Sequence, residues 1–234
     1  MKIYYVKPKK VHLLIAIAII ILIVVLMVLL FAGKAINTMN QDPIYKGDDK
    51  TKIVAFACNV AWGDDYLRQM LDYFDDQGIK ITFFFEGNWA EKNKNFIKEI
   101  YQKGYEIGSH GYTHVKYSTL SAEQVKNDIV KNDELLKSIT GQKPLLFAPP
   151  YGDFNDTTVK VAEALGHKVI MWSVDTIDWR GDGAPAVVNR VIKKYHNGAI
   201  ILMHPTKDTV EALPTIVNEL KRNGFKIGRV SDVL

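Results

Sequence analysis

The chain has one cysteine, Cys58, in 234 residues. That count excludes an intrachain disulfide framework and any cysteine-based zinc site. Charge is missing from a defined stretch: between Val11 and Gly33 there is no Asp, Glu, Lys or Arg. There is no lysine-rich block, no RNA-binding signature and no internal repeat, and the net charge is a mild +4. Nucleic acid is therefore not an expected partner.

The uncharged stretch is the first positive feature. From Leu13 to Phe31 it is almost entirely Leu, Ile, Val and Ala, and about 20 such residues in a helix span a bilayer. Lys2, Lys7, Lys9 and Lys10 precede it, whereas Lys34 alone follows closely, then Asp42, Asp48 and Asp49. The positive-inside bias predicts a cytoplasmic N-terminus and an extracytoplasmic remainder on the cell membrane. A cleaved signal peptide would have a shorter apolar region, roughly 7–15 residues, and a better small-x-small site than Ala32-Gly33-Lys34-Ala35. The expected organisation is a basic tail (1–10), a transmembrane signal-anchor (11–33), a polar linker with Pro43 and Gly47 (34–50) and one domain (51–234).

Within that domain, β-rich runs at 53–59, 80–85, 105–109, 145–147, 168–173, 199–203 and 225–230 alternate with helical patterns. Helices are expected over 65–76, 89–103, 157–165, 184–195 and 209–223. Another opens on the capping box Ser121–Gln124 and ends near Gly141. About seven strands alternating with helices predict an α/β fold with a parallel sheet, closed or nearly closed into a barrel.

Short motifs fall at the strand ends, where a parallel barrel places its chemistry. His110 and His114 could converge on one metal ion, although the same spacing also occurs on solvated loops. His204 ends an apolar run, and Asp178 is a candidate partner. A buried Asp bonded to an imidazole fixes its tautomer and favours its charged form, as a general acid requires. Asp175 and Asp178 could equally be turn or cap residues. Trp179 and Tyr151 offer faces to a sugar ring, Trp172 reads as core, and His167 and His196 read as surface residues.

Taken in order, Cys58–Gly63, Ser109–His114, Ala148–Gly152, Asp175–Trp179 and Leu202–His204 resemble the motifs of the polysaccharide deacetylase family. This is the NodB-homology domain, or carbohydrate esterase family 4, and the resemblance covers about residues 51–234. It implies a distorted (β/α) barrel that removes acetyl groups from N-acetylated sugars of peptidoglycan or chitin-like polymers, using Zn²⁺ or another divalent metal. It places His110 and His114 as metal ligands and His204 as the acid tuned by Asp178. It makes the Tyr151 backbone N–H an oxyanion donor and sets Pro150, Tyr151 and Trp179 against the substrate. Residues 52–59 and the Trp62-Gly63-Asp64 turn also resemble a sporulation-linked subgroup.

Three positions depart from the family pattern. Asn59 stands at the catalytic-base Asp, Val60 at the metal-ligand Asp and Ala148 at the Arg that orients the base. An amide is not basic near neutral pH, and general-base catalysis is worth about 10²–10⁴-fold. Val60 brings no ligand atom, leaving two histidines where catalytic zinc takes three protein ligands. Asp64 and Asp65 could substitute, but helix capping already accounts for them. Two functions follow: a membrane-anchored, metal-dependent deacetylase of cell-wall glycan, or a catalytically inactive barrel that binds glycan or a partner protein.

Overall fold

A computed structural model describes residues 8–35 and 42–234, and the chain divides into units at 1–40 and 41–234. Lys2 and Lys7 of the basic tail, and positions 36–41 of the linker, lie outside the described residues. In the first unit, α1 (Pro8–Ala35) is a 28-residue helix. Its side chains are described without interruption only from Ile15 to Met27. Counted over the described residues alone, no helix is long and apolar enough to cross a membrane.

The second unit alternates strands and helices. Its strands are β1 (Ile53–Val60), β2 (Thr82–Phe85), β3 (Glu106–Ser109), β4 (Leu146–Phe147), β5 (Lys168–Val169), β6 (Val174–Asp175), β7 (Ile200–Met203) and β8 (Lys226–Gly228). The helices are α2 (Asp64–Asp76), α3 (Gly87–Lys92), α4 (Lys94–Gln102), α5 (Ala122–Thr140), α6 (Asp156–Ala164), α7 (Ala184–Ile192) and α8 (Lys207–Arg222). Every ladder is parallel, in the order β5-β4-β3-β2-β1-β7-β6. β8 pairs with Ile53–Ala55 at the start of β1, and β2 with Ala57–Val60 at its end. The expected α/β barrel is thus present as a distorted, unclosed one.

Strand β1 shows how alternation sets the layers. Val54, Phe56, Cys58 and Val60 are buried in one core cluster with Leu67, Met70, Leu71 and Phe74 of α2. Ala55 and Ala57 are buried in a second cluster with Phe84, Leu146, Ala148 and Ile200. Successive side chains of a strand point to opposite faces. Asn59 therefore continues the inner face of the barrel, and Val60 the outer face under the helices.

The single strand expected at 168–173 is two, β5 and β6. Between them the chain leaves the β4 edge: Ile170 bridges to Ile44, whose N–H donates to the Val169 carbonyl, while Met171 N–H donates to Ile44. Lys46 bridges to Ala199 beside β7. Residues 44–46, read as linker from composition, therefore bond to both sides of the open seam. The helix expected at 89–103 breaks at Asn93 into α3 and α4. His167 is not on the surface. It is buried, with Nε2 2.8 Å from an Asp133 oxygen that Lys143 also approaches. His196 is half-buried and bonds to Ser173 Oγ.

Candidate functional site

The strand ends open into a cleft of about 630 Å³. Asn59, His110, His114, Tyr151, Trp179 and His204, all singled out from sequence, line it together. His110 follows β3 and is buried; its Nδ1 lies 2.7 Å from the Ala148 carbonyl oxygen. A carbonyl only accepts, so Nδ1 carries the proton and Nε2 of the neutral ring keeps its lone pair. Burial, then the neighbouring His114 and His204, push the His110 pKa down to about 3. The His114 pKa is also lowered, by burial and by His204. The two rings meet edge-on, 5.1 Å between centroids.

His114 adopts φ 50°, a conformation that costs an L-residue about 1–2 kcal/mol. Asp128 of α5 offsets that cost. One of its oxygens accepts the Tyr112 N–H at 2.7 Å and the Tyr117 hydroxyl, and the other accepts Thr113 Oγ1 at 2.6 Å. Sequence gave no sign of this anchor, because Asp128 reads as one more polar residue on a solvated helix face. Asp128→Ala would strand the Tyr112 N–H and the Tyr117 hydroxyl. We expect a stability loss of about 2–3 kcal/mol in urea melts. A change below about 0.5 kcal/mol would mean the loop is held elsewhere.

Asp178 and His204 form the second group. Asp178 is buried and accepts His204 Nδ1 at 2.8 Å, the His204 backbone N–H at 2.6 Å and the Thr209 hydroxyl. Burial opposes its charge, but His204 and Thr209 outweigh burial and hold its pKa below the ordinary carboxylate value. Asp178 follows Ile177, a β-branched residue at φ 49°. Arg190 of α7 ties that turn down, donating to the Thr176 and Ile177 carbonyls at 3.0 and 3.1 Å. Asp175 accepts the Ile177 N–H at 2.8 Å, the turn role foreseen for it.

Aromatic faces surround these groups. Tyr151, at φ 61°, follows the buried Pro150 and sets its ring 4.6 Å from that of His114. Tyr151 and Trp179 are 63% and 60% exposed, open to a ligand. Trp172, assigned to the core from sequence, packs on the inner cluster and also lines the cleft. Trp62 stacks on His204 at 5.4 Å and 13° and meets His114 edge-on. The neighbouring Gly63, at φ 89°, makes this possible, since a Cβ there would lie 2.2 Å from the Pro205 carbonyl oxygen.

The three departures are now placed. Asn59 is 4% exposed, and among the described residues its Oδ1 has no hydrogen-bond donor. Val60 is fully buried on the helix side. Ala148 is buried on the inner face beneath His110. Asp64 does not replace the missing base, because its Oδ1 takes the Trp89 indole N–H at 2.6 Å, and neither it nor Asp65 lines the cleft. Among the described residues no group of three His, Cys, Asp or Glu could hold a metal ion. Two imidazoles are one protein ligand short of the three that a catalytic zinc takes, so the residues present do not fit it.

The parallel barrel thus carries an imidazole pair, a buried Asp–His pair and exposed aromatic faces at the C-terminal ends of its strands. Residues 46–170 match the model of the polysaccharide deacetylase family. The chain belongs to that family. It is 39% identical over 199 residues to the uncharacterized protein YlxY of Bacillus subtilis (strain 168), covering 85% of this chain and 62% of that one. It is 33% identical over 167 residues to a peptidoglycan-N-acetylglucosamine deacetylase of Bacillus cereus, covering 69% and 61%. The chain thus spans about three fifths of the length of these two relatives. Among solved structures it superposes on BA3943 of Bacillus anthracis, described as a CE4 family pseudoenzyme. The TM-score is 0.80 at 41% identity, over 82% of this chain and 68% of that one. A mutant of BA3943 is described as having restored enzymatic activity, at the same TM-score and 40% identity, over 82% and 70%.

Proposed function

We propose that this barrel binds cell-wall glycan, peptidoglycan or a chitin-like polymer, at its rim and does not hydrolyse the N-acetyl groups. The observation that carries this reading is Asn59: it occupies the base position on the inner face, while Val60 turns its side chain into the helix layer. Neither residue can take a proton from water or hold a metal. Tyr151 and Trp179, exposed beside the histidines, support a binding role. The pseudoenzyme description of BA3943 supports the same reading. In solution, the full-length chain should bind N-acetylglucosamine oligomers or peptidoglycan fragments while releasing no acetate, with or without Zn²⁺.

A second reading, slow metal-dependent deacetylation, draws on the Asp178–His204 pair and the Tyr151 turn, both formed. In it, His110 and His114 would be the residues left to hold a divalent metal, which would supply Lewis-acid activation of water, with the Tyr151 backbone N–H as oxyanion donor and His204 as acid. Acetate release that disappears in His110→Ala would establish it and end the first reading. We further propose that α1 anchors the protein in the cell membrane, N-terminus inside. Its apolar side chains from Ile19 to Met27 are all exposed, a surface that water disfavours. Replacing Ile19, Leu22 and Leu26 by Lys should move the protein from the membrane to the soluble fraction.

A further inference from the structure

We propose that, on the glycan it binds, the cleft prefers a sugar unit whose amine is free and cationic over an N-acetylated unit. The inference rests on the non-hydrolysing reading above and names the ligand more closely. It starts from what the cleft contains and what it omits. The chain has 30 Lys and Arg, yet among the described residues none of them lines the cleft. Among the residues that line it, Asp175 is the single carboxylate, and it is half-buried. One Asp175 oxygen is engaged by the Ile177 N–H, and the other has no partner among the described residues.

The neutral groups point the same way. His110 spends its proton on Ala148, so its second nitrogen faces the ligand as an acceptor. The Asn59 amide lines the cleft and its oxygen has no donor among the described residues. Trp62, Trp172, Trp179 and Tyr151 add aromatic faces. Such faces attract a desolvated cation through the ring quadrupole. A primary ammonium brings three donors and a positive charge, which this set of acceptors, carboxylate and π-faces complements. An N-acetyl group brings a carbonyl acceptor in place of that charge. The free amine is the product of N-deacetylation, so a reaction of that class has to act on the polymer first.

The test is titration calorimetry of the full-length chain in detergent micelles at pH 7 against two probes, the tetramer of glucosamine and the tetramer of N-acetylglucosamine. We expect the glucosamine tetramer to bind about tenfold more tightly. Asp175→Asn keeps the acceptor for Ile177 and removes the charge, so the preference should fall to about threefold or less. Trp179→Ala, at an exposed position that folding does not need, should weaken the glucosamine tetramer more than the acetylated one. Equal or tighter binding of the acetylated tetramer would overturn the inference and leave the glycan-binding function standing. A preference that survives both substitutions would place the attraction outside the cleft and overturn it as well. Binding of neither tetramer would sink the glycan-binding function together with the inference.

Discussion

With Asn59→Asp, Val60→Asp and Ala148→Arg made together, the barrel should release acetate from N-acetylglucosamine oligomers in the presence of Zn²⁺, where the natural chain releases none. The inner-face position of Asn59 puts a new carboxylate in the cleft beside the histidines. A general base there is worth about 10²–10⁴-fold in rate, so release at least about 10²-fold above the enzyme-free background is expected. The substitutions should depend on one another. Ala148 is 4% exposed, so an Arg there without a carboxylate partner is a buried, unpaired charge. Alone it should cost several kcal/mol, and Asn59→Asp should recover part of that loss.

Val60→Asp is the harshest of the three. It puts a carboxylate among Leu67, Met70 and Phe74 unless the end of β1 turns it into the cleft. Zn²⁺ should therefore raise the melting temperature of the triple variant and leave that of the natural chain unchanged. A triple variant that folds, responds to Zn²⁺ and still releases nothing would show that more than these three positions has been lost.

The second large effect is on stability. Asp178→Asn should destabilise the domain by about 3–5 kcal/mol near neutral pH, since it removes the charge of a buried pair and turns one of the two oxygens that accept from His204 and Thr209 into an NH2 donor. The effect has a definite pH signature. The folded Asp178 carboxyl sits below its ordinary pKa, so its stabilisation is complete above the ordinary carboxylate range. It drains away as pH falls through the folded value. The natural chain and the variant should thus approach each other in stability on acidification, as read from urea melts at pH 7, 5 and 3. A gap that stays constant across that series would show that the carboxylate charge is not what holds the two loops.

The parts legible in the sequence are those whose cause is local. The Ser121–Gln124 capping box closes at 2.9 and 3.3 Å, and Gly141 ends α5 at φ 80°. The His110, Tyr151, Asp178 and His204 motifs could be read because each follows a strand end, and the barrel gathers strand ends at one rim. What sequence could not supply depends on distant partners. The break between β5 and β6 comes from Ile44, far upstream in a polar stretch. His167 looked solvated beside Gly166 and Lys168, but Asp133 draws it inside. The stacking of Trp62 on His204 requires two loops to touch at Gly63 and Pro205, a contact written in no single segment.

The backbone bonds of Ile44 and Lys46 across the open seam carry a mechanical consequence. Tension arriving along the chain from residue 43 meets these two bridges before it reaches β1. Bridges loaded at one end open one after another, so the seam would act as a fuse, yielding at low force while the ladders around β1 stay intact. The rim that carries His110 and His204 is built on those ladders and would keep its shape under a pull that already opens the two bridges.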